Sequence, residues 1–143
     1  MGSIVCATRG GEASRRTQQR AIILAKERDA DLVFLCVVDP GFVEPSDERL
    51  QGALEDELKR LGRSLLCIAQ VRAEELGVET RTEVRCGPVL ENLVEYLRHG
   101  DAETLVIGAP QKERKVDALD PKDVERLAEN IRESVGVEVI LVE

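Results

Sequence analysis

Leu105-Val106-Ile107-Gly108-Ala109 limits what this chain can fold into more than any other stretch. It is an apolar run of strand length that ends in glycine. The loop Pro110 to Asp120 follows, and Asp120-Pro121 signals a helix start. A strand apolar on both faces must be covered on both faces. A strand–loop–helix succession of this kind is the half-unit of a parallel α/β sheet. In such sheets ligands sit beyond the carboxyl ends of the strands, where the strand order reverses. A site is therefore expected at the end of this strand and at the end of the first, Ile4 to Thr8.

The rest of the chain repeats the pattern. Ile4 to Thr8 reads as a short buried strand, Arg9 to Glu12 as a glycine loop, and Ser14 to Arg28 as a helix with Ala21, Leu24 and Ala25 inward and Ile22 and Ile23 widening the stripe. Leu32 to Val38 is a central strand, ended by Asp39-Pro40-Gly41. Pro45-Ser46-Asp47 marks the start of a long helix running to Leu76 and stopping at Gly77. Its Leu50, Leu54, Leu58, Leu61, Leu65 and Ile68 step by four or three and predict one continuous inward face. A coiled coil is the alternative, weakened by glycines at 52 and 62.

Thr80 to Cys86 alternates, with Thr80, Thr82, Val84 and Cys86 on one face and Arg81, Glu83 and Arg85 on the other, as an edge strand does. Gly87-Pro88 leads into a helix striped by Leu90, Leu93, Val94 and Leu97. The last helix opens at Asp120-Pro121, carries Val124, Leu127, Ala128 and Ile131 inward, and ends at Gly136. Val137 to Val142 is a final apolar strand. The order β-α-β-α-β-α-β-α-β predicts an α/β fold, an open doubly wound parallel sheet of five strands with helices on both faces, in one domain over residues 1–143.

Composition removes several classes of function. A net charge of −8 argues against a general nucleic-acid binder. No apolar stretch approaches the roughly 18 residues of a membrane span, and the first residues do not read as a signal peptide. Cys6, Cys36, Cys67 and Cys86 are widely spaced, without a Cys-x-x-Cys pair. They read as small buried hydrophobes of a reducing cytoplasm, with no metal site expected. His99, late in its helix, reads as a helix-end cation, and no serine has a nucleophile-elbow context. No enzymatic centre is expected.

The Ile-Val-Cys-Ala-Thr opening with its glycine loop, the long second helix, Leu-Val-Ile-Gly in the fourth strand and the Val-rich last strand together resemble the universal stress protein family. The resemblance covers nearly the whole chain. It implies strand order 3-2-1-4-5, a cytoplasmic homodimer and a part in stress survival. Many members bind ATP and others do not. ATP-binding members carry an aspartate directly after the first strand, where this chain has Arg9. They also carry Gly-x2-Gly-x9-Gly-Ser/Thr after the fourth strand. Laid on Gly108, that spacing falls on Gln111, Pro121 and Lys122, so only the first glycine is kept. Phosphates are cradled there by backbone N–H groups, and a Cβ or a missing N–H spoils the cradle. Loss of two charge-assisted hydrogen bonds of ~1.5–3 kcal/mol each disfavours ATP as a cofactor.

The candidate ligand-binding residues are Thr8, Arg9, Val38, Asp39, Gly108, Gln111, Lys112 and Lys122, all in or beside the carboxyl-end loops. Arg9, Lys112, Arg114, Lys115 and Lys122 either form a solvated loop in a chain that is 34% charged, or bind a small anion or nucleotide with side-chain cations. Asp39, Asp117 and Asp120 partly cancel that charge. A homodimer is expected through the last strand. Val137, Val139 and Leu141 lie on one face of it, Ile140 and Val142 on the other, yet the implied topology puts this apolar strand at a sheet edge.

Overall fold

Every apolar run of strand length becomes a strand of one sheet, and every helical stretch carries the chain back to it. The computed structural model describes residues 2–8, 12–38, 48–108 and 121–142. The elements are β1 (Ser3–Ala7), α1 (Glu12–Arg28), β2 (Leu32–Val38), α2 (Glu48–Glu75), β3 (Thr80–Cys86), α3 (Val89–His99), β4 (Ala102–Gly108), α4 (Pro121–Val135) and β5 (Glu138–Val142). The sheet order is β3-β2-β1-β4-β5, with all neighbouring strands parallel. The expected topology is thus observed. Boundaries move by a few residues: α1 begins two residues before Ser14, and β4 three before Leu105.

Strand alternation divides the core in two. Ile4, Cys6, Phe34 and Val106 face the layer made by α1 and α2, where Ala21, Leu24, Ala25, Leu66, Ala69 and Ala73 cover them. Val5, Leu35, Leu105 and Ile107 face α3 and α4, under Leu93, Leu97, Ala128 and Ile131. With almost no aromatic residues to fill it, this core depends on close approach by small ones. At Gly62 a Cβ would lie 3.4 Å from Val84 Cγ1 and 3.6 Å from Cys36 Sγ, ordinary van der Waals contact, so α2 settles on β2 and β3 with room there for no more than a methyl group. Gly77 stops the same helix with φ +80°, a left-handed conformation that glycine adopts without strain.

Some inward residues are not those the sequence predicts. Along α2 the buried face is Gly62, Leu66, Ala69 and Ala73. Leu50, Leu61 and Ile68, expected inward, are 57%, 56% and 53% exposed, while Leu54, Leu58 and Leu65 are half-buried. The leucine stripe therefore lies beside the core contact rather than on it. Ile23 and Leu90 also turn outward, and Val124 lies outside the residues whose side chains are described. Cys6 and Cys36 are buried as expected, but Cys67 is exposed on α2 and Cys86 half-buried. At the amino end of the sheet Arg28 Nη1 donates to Thr104 Oγ1 at 2.9 Å and to Glu138 Oε2 at 3.3 Å. The fully buried Thr104 hydroxyl donates to Glu138 Oε2 at 3.2 Å, which ties α1, β4 and β5 together.

Candidate functional site

Chain direction fixes where a ligand can sit. From β1 the chain crosses by α1 to β2 on one side, while β4 lies on the other, so the strand order reverses between β1 and β4. Thr8 follows β1 and Gly108 ends β4; they lie one step beyond the registered pair Ala7 and Ile107. Val38 ends β2 beside Cys86. The fold thus brings Thr8, Val38 and Gly108 to one end of the sheet. Arg9, Asp39, Gln111, Lys112, Arg114, Lys115, Asp117 and Asp120 lie outside the described residues, as does the side chain of Lys122, whose backbone is in the first turn of α4.

The floor of this end of the sheet is polar and buried. Thr8, Thr17 and Gln18 are each at most 5% exposed. Gln18 Nε2 donates to Thr8 Oγ1 at 3.0 Å, and Gln18 Oε1 is buried with no hydrogen-bond partner among the described residues. Exchanging the two ends of the carboxamide only moves the orphan to the nitrogen. A buried amide oxygen without a donor costs about 1–3 kcal/mol, so one bonding group is wanted here. Thr17 sits against Gly108, where a Cβ would come within 2.7 Å of Thr17 Oγ1. Gly108 therefore has a packing reason to be glycine, apart from any phosphate.

Thr17 and Gln18 were not singled out from the sequence, although a signal was there. They continue the spacing of Ala21, Leu24 and Ala25 one turn toward the helix start, so they are polar residues on the inward stripe. Cys6 Sγ lies 4.0 Å from the Thr17 carbonyl oxygen. Burial pushes its pKa up to about 12, so it stays a thiol and offers no nucleophile at neutral pH. His99 is exposed in the last turn of α3. Among the described residues no group of three or more His, Cys, Asp or Glu is placed to hold a metal ion, and no helix is long and apolar enough to cross a membrane. A depression at the opposite end of the sheet, lined by Asp31, Glu74, Glu79 and Arg81 among others, is far from this polar floor.

The backbone settles which groups of β5 face outward. The Ile4 and Thr8 amides donate to the Asp31 and Leu35 carbonyls, both at 2.9 Å, so even-numbered residues of β1 point toward β2. Successive residues point to opposite sides, and aligned residues of a parallel ladder point the same way across the sheet. Val5 therefore points to β4, its aligned Leu105 to β5, and Val139, aligned with Leu105, to the open edge. Arg132 Nη2 supports this by donating to the Val139 carbonyl at 2.8 Å. Val139 and Leu141 pack toward α4 while Ile140 and Val142 pack toward α1, with Val137 beside the first group.

The model of the universal stress protein family matches residues 1–142. A universal stress protein of Methanocaldococcus jannaschii is 33% identical over 110 residues; the match takes in 76% of this chain and 65% of that protein's own length, just under two thirds. The structure of a universal stress protein family member from Burkholderia pseudomallei superposes with a TM-score of 0.74 at 26% identity, covering 98% of this chain and 95% of that one. That of a universal stress protein in complex with cAMP gives a TM-score of 0.70 at 21% identity, over 99% and 97% of the two chains.

Proposed function

The chain belongs to the universal stress protein family, and on that basis we propose that it is a non-enzymatic, homodimeric regulatory module of the cytoplasm that does not bind ATP. The observation that carries this reading is the start of α4 at Pro121. Residues of a helix's first turn offer their N–H groups to phosphates, and proline has none to offer. Gln111 puts a side chain at a second position where ATP-binding members have glycine. Gly108, which is kept, is already needed for contact with Thr17. Regulation then passes through protein surfaces. The open edge of β5 supplies one, where antiparallel pairing with a second copy would join the outward groups of Val139 and Leu141.

A second reading keeps a nucleotide, with or without slow ATP hydrolysis. It is favoured by the orphan Gln18 Oε1 at the switch point and by the relative that holds cAMP, which carries one phosphate and asks less of the cradle. Thermal unfolding with Mg-ATP and with cAMP separates the two. A ligand at 100 times its Kd stabilises by about 2.7 kcal/mol. No shift with millimolar Mg-ATP is expected, and a shift that saturates in the micromolar range would overturn the first reading.

A further inference from the structure

The guanidinium of Arg132 sits on the open edge of β5, and we propose that it is a guard that holds back pairing of that edge with a second copy of this chain. Arg132 is an exposed residue in the last turn of α4. Its Nη2 donates at 2.8 Å to the carbonyl of Val139, which faces away from β4. The guard presupposes β5 as the pairing edge, as proposed above, and sets how tightly that edge pairs.

A sheet edge needs such a device. Unpaired N–H and C=O groups template pairing with any extended chain, and charged side chains blunt that tendency. β3, the other edge, carries Arg81, Glu83 and Arg85 along its seven residues. Register gives the direction of its carbonyls. The Leu32 amide donates to the Glu79 carbonyl, so Leu32 points to β3 and its aligned Thr80 points outward. Gln70 Nε2, from the helix that covers this strand, donates to the Thr80 carbonyl at 3.3 Å. Each edge strand thus has an outward carbonyl capped by a side chain of its covering helix. β5, by contrast, is Glu-Val-Ile-Leu-Val, with a single charge at its start. Its protection against pairing falls to Arg132 among the described residues.

The cap and a partner strand need the same atom. A neighbouring strand puts its amide nitrogen about 2.9 Å from an edge carbonyl oxygen and its backbone about 4.8 Å away. A guanidinium nitrogen 2.8 Å from the Val139 oxygen fills the place of that amide. Antiparallel pairing through Val139 therefore requires Arg132 to let go, and twofold symmetry requires the same of Arg132 of the partner subunit. The Arg132 side chain is exposed, so it can leave for water without disturbing α4. The guard thus raises the concentration at which copies pair and does not forbid pairing.

Sedimentation equilibrium tests it. Each dimer that forms releases two hydrogen bonds to a charged donor, so Arg132→Met should lower the dimer Kd about tenfold. Arg132→Ala should do the same, which separates loss of the cap from any gain by the methionine side chain. Arg126→Met, at an exposed position of the same helix, removes the same charge and should not tighten the dimer. The chain already carries −8, so added negative charge by itself opposes pairing. Combining Val139→Pro with Arg132→Met should abolish the gain, because the paired edge is gone. An unchanged or raised Kd for Arg132→Met would overturn the guard and leave β5 as the pairing edge. Equal tightening by Arg126→Met, or a gain that survives Val139→Pro, would also overturn it. Absence of a dimer in the unmodified protein and in every variant would overturn both the guard and the reading of β5.

Discussion

Proline at two adjacent positions of β5 should have opposite consequences. The Ile140 amide points to β4 and donates into the ladder, whereas the Val139 amide points to the open edge. Ile140→Pro removes that ladder bond and strands the carbonyl of Leu105, a fully buried residue. The lost bond is worth about 0.5–1.5 kcal/mol and the stranded acceptor about 1–3 kcal/mol, so about 3 kcal/mol is expected. Val139→Pro removes no bond within the chain. Both substitutions also change a side chain, so each is compared with alanine at the same position. Urea unfolding measures the difference: at a slope of about 1–3 kcal/mol/M, Ile140→Pro lowers the midpoint by about 1–3 M beyond Ile140→Ala. Val139→Pro stays close to Val139→Ala in the single chain but abolishes pairing through β5. Its midpoint should then lose the dependence on protein concentration that a dimer imposes. Equal destabilisation by the two prolines would refute the backbone orientation. A Val139→Pro protein that still pairs through β5 would refute the interface.

Gly108→Ala should destabilise the fold by about 1–3 kcal/mol, because its Cβ meets Thr17 Oγ1, and adding Thr17→Ala should recover most of the loss in thermal unfolding. Iodoacetamide at neutral pH should label Cys67 first and leave Cys6 unlabelled until the chain unfolds, as mass spectrometry of the digest will show. Burial raises the Cys6 pKa from 9.0 to about 12, so its contribution to stability is complete below pH 9 and is lost as pH rises toward 12. Cys6→Ala should flatten that part of an alkaline unfolding curve. Gln111→Gly with Pro121→Gly should restore some calorimetric heat with Mg-ATP; continued silence would place the obstacle at Arg9 or in the loop's shape.

The strands were legible because two patterns were unambiguous. Leu32–Val38 is apolar throughout and lies in the middle of the sheet, and Thr80–Cys86 alternates and lies at the edge. The α2 stripe misled because regular leucine spacing shows that a helix has an apolar face without showing what covers it. The residues that meet the sheet are Gly62, Leu66, Ala69 and Ala73, three of them too small to stand out as a stripe. Thr17 and Gln18 were missed because a polar residue on an inward stripe reads as a helix start until the burial is seen. Which β5 amides face outward depends on register across three strand pairs, and no local pattern carries it. Of the expected site, Thr8, Val38 and Gly108 gather at one end of the sheet, while Arg9, Asp39, Gln111 and Lys112 lie outside the described residues.

Native mass spectrometry of the unmodified protein tests the regulatory-homodimer reading most directly. The expected species has twice the 15.8 kDa of one chain and carries no nucleotide. A single chain across micromolar concentrations, or a dimer that retains ATP from its expression host, would contradict it.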